Sequence, residues 1–174
     1  KGLGTKLTVE PDLVIPNKKL TLAEGAIRPW SKTTSRMSWY GQILNGLAKA
    51  YDFSLNTPVK DLPKKIIDIL MTGSGDLKIK VTGEGPNSKY EMNTTFEGII
   101  PNLERKYQET DSDYMRTEIE NYMRIRTCPT CNGNRLKPEV TAVLIAQKGI
   151  VDVSRMTIEE ASEFVAKLPK EFSE

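Results

Sequence analysis

Between Leu77 and Thr94 the chain keeps a period of two. Leu77, Ile79 and Val81 alternate with Lys78, Lys80 and Thr82; after Gly83–Ser88, Tyr90, Met92 and Thr94 alternate with Lys89, Glu91 and Asn93. Successive side chains of a strand point to opposite faces. The pattern therefore predicts a β-hairpin with a six-residue loop, apolar on one face and partly basic on the other. With the helical segments on either side, this defines an α+β class: a small sheet with packed helices.

The helices are read from spacing. Tyr40, Ile43, Leu44, Leu47, Ala48 and Tyr51 recur on one face of a 3.6-residue period and predict a helix over 37–51. Gly41 and Gly46 each weaken it by about 1 kcal/mol relative to alanine, so tertiary packing must hold it. Thr57-Pro58 reads as a cap followed by Pro at the first helical position. A second helix runs over 63–71, with Ile66, Ile67, Leu70 and Met71 inward and Gly73 past its end. Phe96, Ile99, Ile100, Leu103 and Tyr107 start another. Ser112 opens a helix to about 124 whose apolar face is Tyr114, Met115, Ile119, Tyr122 and Met123. A short strand is expected at 5–9, and two more at 139–145 and 149–153. Thr157 and Glu160 form a capping box. It opens a helix to about 168, with Ile158, Ala161, Phe164, Val165 and Leu168 inward and Pro169 beyond it.

Composition sets the limits. A length of 174 residues suits one domain or two small ones. Hydrophobic residues and the 12 glycines together make up about 45%, the low end for a globular protein. The chain has no histidine and two cysteines. No Ser-His-Asp triad or Cys-His dyad can form within it, and two cysteines cannot complete a thiolate zinc site that takes four ligands. No apolar run approaches the length of a membrane-spanning helix. The start, Lys1-Gly2-Leu3-Gly4, has no apolar signal segment. The chain is thus expected to be part of a longer intracellular protein.

Three features could carry chemistry. Cys128-Pro129-Thr130-Cys131 followed by Asn132-Gly133 has the form of a zinc turn. It reads as a half-site completed elsewhere, as a redox pair, or as two structural cysteines. Positive charge is also clustered: Arg28, Lys32, Arg36 and Lys49 stand without an intervening acid, as do Arg124, Arg126, Arg135 and Lys137. The first cluster is interleaved with Trp30, Trp39 and Tyr40, which could stack on bases or simply pack. Arg105-Lys106 is either a DNA-facing edge or part of a solvated helix face with Glu104 and Glu109. No phosphate loop, acidic metal cluster or nucleophile–base pair is present, so the chain reads as non-catalytic.

Three stretches carry a resemblance: Val14–Ile27 (VIPNKKLTLAEGAI), Phe96–Thr110 (FEGIIPNLERKYQET) and Cys128–Pro138 (CPTCNGNRLKP). They look like the UvrA family, the damage-sensing ATPase subunit of the bacterial excision nuclease, and the likeness runs essentially end to end. It implies an end of a preceding zinc-module region over 1–8, the family's insertion domain over 9–120, and a return into the first signature domain over 121–174. It implies that Cys128 and Cys131 are half of a zinc site whose other ligands lie upstream in the parent. It further implies that the insertion domain flanks DNA in a homodimer that uses ATP and magnesium, loads UvrB, has no membrane contact and works in the cytoplasm. The ATP-binding and signature motifs of the family are not in this sequence. Arg28, Lys32, Arg36, Arg105 and Lys106 match a region thought to face DNA. A flap contacting UvrB or another repair factor, with its basic residues meeting an acidic partner, is the rival expectation.

Overall fold

The computed structural model describes residues 2–31, 38–84 and 89–172. Mixed helices and two-stranded ladders make it an α+β structure. The chain divides into two compact units, Leu7–Arg124 and Lys1–Lys6 with Ile125–Glu174.

The larger unit is built on the predicted hairpin. Strands β2 (Lys78–Glu84) and β3 (Lys89–Thr95) pair antiparallel, with Val81 opposite Met92 and Gly83 opposite Tyr90. The ladder runs on through Glu84 and Lys89, so the connection has four residues, not six. Leu77 lies outside the strand and is 49% exposed. Ile79 and Val81 are completely buried, whereas Lys80 and Glu91 pair at 2.7 Å on the opposite, solvated face.

Helix α2 (Trp39–Ala50) covers the buried face. Ser38 caps it by accepting the Gly41 N–H at 3.1 Å. Ile43, Leu44 and Leu47 are buried, as their spacing requires. Gly46 is where the helix meets the sheet: a Cβ there would stand 2.8 Å from the Lys80 carbonyl oxygen. The glycine that weakens the isolated helix thus permits its closest approach to β2. At the far end of the hairpin, the Tyr90 hydroxyl donates to Gln42 Oε1 at 2.7 Å.

Around this pair lie β1 (Thr5–Val9), the short α1 (Pro11–Val14), single 3-10 turns at Arg28–Trp30 and Val59–Asp61, and α3 (Lys64–Thr72). Pro58 precedes the second of these turns, so Thr57 is not its cap. Helix α4 (Ile99–Glu109) begins three residues later than its spacing suggests. Gly98, at φ +95°, turns the chain beforehand, and a Cβ on it would overlap the Gly73 nitrogen at 2.5 Å. Phe96 is buried outside the helix. Helix α5 (Asp113–Glu120) is shorter than expected. Met123 already belongs to strand β4 (Met123–Thr127), which pairs with β1. Ile119 and Met123 are buried, but Tyr114 is 69% and Met115 44% exposed.

The smaller unit departs further from its pattern. Pro138 begins a four-residue helix α6 (Pro138–Thr141) where a strand was expected, since Pro favours the first helical position. Within 139–153, Leu144–Ile145 (β5) and Lys148–Gly149 (β6) form a two-residue ladder, joined through Ala146 and Gln147, both at positive φ as a tight hairpin turn requires. The second expected strand is instead helix α7 (Ile150–Ser154), its entry fixed by Gly149 N–H donating to Asp152 Oδ2 at 2.9 Å. The capping box forms as read: Thr157 N–H donates to Glu160 Oε2 at 2.8 Å, and Glu160 N–H to Thr157 Oγ1 at 3.2 Å. Helix α8 (Ile158–Phe172) continues through Pro169. Among the described residues, every buried hydrophobic side chain lies in the larger unit. Ile158 and Val165, expected inward, are 90% and 58% exposed.

Candidate nucleic-acid interface and thiol turn

The N-terminus of α2, the end of β3 and one face of α4 enclose a groove of about 290 Å³. Its floor is aromatic. The Trp30 and Tyr40 rings stack with centroids 4.3 Å apart and planes 15° from parallel, and Phe96 meets Trp30 edge-on at 6.2 Å. Trp30 is buried, while Trp39 at the mouth remains 44% exposed. Of the three aromatics interleaved with the first basic cluster, Trp30 and Tyr40 pack, and Trp39 keeps a face toward solvent.

Arg105 and Lys106 both line this groove, in different electrostatic states. Arg105 grips both oxygens of Glu97, through Nε at 3.1 Å and a terminal nitrogen at 2.7 Å, and reaches Glu109 Oε2 at 2.8 Å with the other terminal nitrogen. These bonds raise the Arg105 pKa and hold the Glu97 carboxyl below its usual range; burial partly opposes the latter, and the Asn102 amide supports it. Asn102 is buried. It donates to Glu97 Oε1 at 2.6 Å and accepts from the Tyr40 hydroxyl at 3.5 Å. The Lys106 ammonium donates to the same hydroxyl. It stands 5.1 Å from the Tyr40 centroid, so its contact is chiefly with the oxygen edge of the ring. Arg105 is thus hydrogen-bonded to two carboxylates, whereas Lys106 bonds a hydroxyl and meets Glu97 only through a weaker charge attraction.

Arg28 is exposed in the first 3-10 turn and does not line the groove. Its charge reaches Tyr122, whose phenol is pushed up mainly by burial, with Glu118 adding to that and Arg28 opposing it. Lys32 and Arg36 lie outside the described residues. Glu97 and Asn102 were not legible as partners of the basic residues. The sequence signals for the groove were the interleaved aromatics Trp30, Trp39 and Tyr40 and the Arg105-Lys106 pair.

The cysteines sit on a turn of the smaller unit. Cys128 N–H donates to the Gly4 carbonyl at 3.0 Å, and Asn132 N–H returns to the Cys128 carbonyl at 2.8 Å. Asn132 and Gly133 follow at positive φ. The Cys128 thiol is held below its usual pKa chiefly by the backbone N–H of Cys131, then by that of Thr130. Both cysteines are free and partly accessible. Zinc has tetrahedral N/S preferences, and a thiolate-favouring turn suits it. Yet among the described residues no three His, Cys, Asp or Glu side chains cluster to hold a metal. The donor set present is two thiols, half of what a structural zinc requires.

A hairpin laid on a helix, with an aromatic groove beside it, and a CxxC turn in the smaller unit mark a module of α+β type. Residues 10–121 match the family model described as the UvrA DNA-binding domain, and the chain belongs to that family. It is 44% identical over 168 residues to UvrABC system protein A of Clostridium tetani, covering 96% of this chain and 18% of the relative. The same-named protein of Methanothermobacter thermautotrophicus is 45% identical over 167 residues, 96% of this chain and 17% of the relative. The chain therefore spans less than a fifth of the length of these curated relatives. The fold is similar to that of UvrA2 from Deinococcus radiodurans, with a TM-score of 0.69 and 23% identity over 99% of this chain and 22% of that one. No helix among the described residues is long and apolar enough to cross a membrane.

Proposed function

We propose that this chain supplies DNA contacts to the damage sensor of nucleotide excision repair, as the insertion domain with a return into the first signature domain. The observation that carries this is the match to a DNA-binding domain over 10–121, the stretch that also builds the hairpin, α2 and the groove. Contacts come from basic side chains to phosphates: Arg28 and Lys106 from the described surface, Arg105 from its carboxylate pair, and Lys32 and Arg36 from sequence. Such contacts carry no sequence information, so recognition of damage proceeds through altered DNA shape and deformability. In the same reading the parent is an ATP-driven cytoplasmic homodimer that loads UvrB, and Cys128 and Cys131 join upstream ligands in a zinc site.

The test is duplex binding followed by fluorescence anisotropy as salt rises. Affinity should fall linearly on logarithmic axes, and Arg28→Ala should flatten the slope by about 0.9 if it neutralises one phosphate. Absence of salt-sensitive binding at micromolar protein sinks the reading. The exposed Tyr114 and Met115 favour a second one, a flap docking UvrB or another repair factor. It requires that Tyr114→Ala weaken capture of that protein and leave the DNA salt slope intact.

A further inference from the structure

We propose that the groove at the start of α2 receives a single nucleobase displaced from the DNA stack, with Trp39 as its stacking partner. This rests on the DNA reading and adds a site to it. Size argues first: about 290 Å³ is at the lower end of small-ligand pockets, enough for one planar ring system and too small for a folded segment. The lining argues second. Trp30 and Tyr40 are stacked on each other, whereas Trp39 lines the groove and is 44% exposed. Aromatic faces accept any base, because every base has a π-face.

The remaining walls are polar where a base edge is polar. Thr94 and Thr95 line the groove, and an aliphatic side chain from a protein partner would leave their hydroxyls facing carbon, while Asn102 is already held by Glu97 and Tyr40. Charge argues third. Glu97 and Glu109 are hydrogen-bonded to Arg105, whereas Lys106 at the rim bonds the Tyr40 hydroxyl and meets Glu97 only through a weaker charge attraction, which places it to meet the phosphate of the displaced nucleotide. Bases of an intact duplex are stacked and cannot enter. The groove therefore adds selectivity for distorted DNA, while general affinity comes from the cations outside it.

The chain contains two tryptophans, and Trp30 is buried, so Trp39 dominates quenchable emission. The probes are a short duplex with one unpaired thymidine and the same duplex fully paired, at equal salt. The unpaired form should bind about fivefold or more tighter, quench tryptophan emission and shield it from acrylamide. Trp39→Phe should keep most of the preference, and Trp39→Ala should abolish it. The quench and the shielding need no variant and so do not depend on how a variant folds. Equal affinity for both duplexes with unchanged emission, or a preference that survives in folded Trp39→Ala, overturns the inference and leaves the DNA reading standing. Binding to neither duplex removes both.

Discussion

Gly46 of α2 lies directly against the backbone carbonyl of Lys80 on β2, where a Cβ would sit 2.8 Å from the oxygen. Helix propensity and packing pull in opposite directions here. Alanine gains about 1 kcal/mol as a helix former, but forcing the helix from the sheet costs typically about 1–3 kcal/mol. Gly46→Ala should therefore be destabilising by up to about 2 kcal/mol, seen as a lower urea midpoint at unchanged m-value. A gain in stability would mean that the helix and sheet separate at little cost.

Glu97 should shape the acid limb of the stability curve. Its folded pKa is lowered by the Arg105 guanidinium, so the pair adds stability above the unfolded value of about 4.3. That contribution is lost as pH falls through the lower folded value. Glu97→Gln should flatten the dependence of the denaturation midpoint on pH below about 5, with the largest deficit at neutral pH. Both side chains are over 40% exposed, so the effect should be modest and should shrink at high salt.

The helix cap in the smaller unit is testable by itself. Thr157→Ala removes the hydroxyl that accepts the Glu160 N–H and should cost about 1 kcal/mol of local stability. With no buried apolar side chains described beneath α8, its first turn should exchange amide hydrogens faster in the variant. Unchanged exchange would mean that the cap does not limit fraying.

Cys128 should be the more eager thiol. Its lowered pKa, set by the Cys131 and Thr130 N–H groups, means that alkylation begins below the pH typical of a free thiol, about 8.5. Mass spectrometry after brief iodoacetamide treatment across pH should show that onset. Zinc with two thiolates alone should protect only weakly, since two ligands of four are missing.

Legibility followed burial. The hairpin, α2 and α3 were readable because one face of each is covered, and Ile79, Val81, Leu44 and Leu47 had to alternate or recur accordingly. The segment after Pro138 misled because its apolar residues face solvent, so their spacing carries no packing constraint, and local chemistry at Pro138 and Gly149 decided instead. At the groove, Arg105–Glu109 was visible as a helical i,i+4 pair. Glu97 was not, because Gly98 turns the chain and brings a residue from before the helix back over it. The Trp30–Tyr40 stack joins residues ten apart in sequence, and no period encodes that.

The pairing of β1 with β4 also bears on portability. The larger unit is entered at Leu7 and left at Arg124, and these ends are held side by side: Glu10 N–H bonds the Tyr122 carbonyl at 2.9 Å, and the Thr8 hydroxyl reaches the Arg124 carbonyl at 3.5 Å. A module whose two ends meet is a closed excursion from the chain that carries it. It can be excised and bridged by a short turn, or grafted into a foreign surface loop, without asking the host strands to move apart.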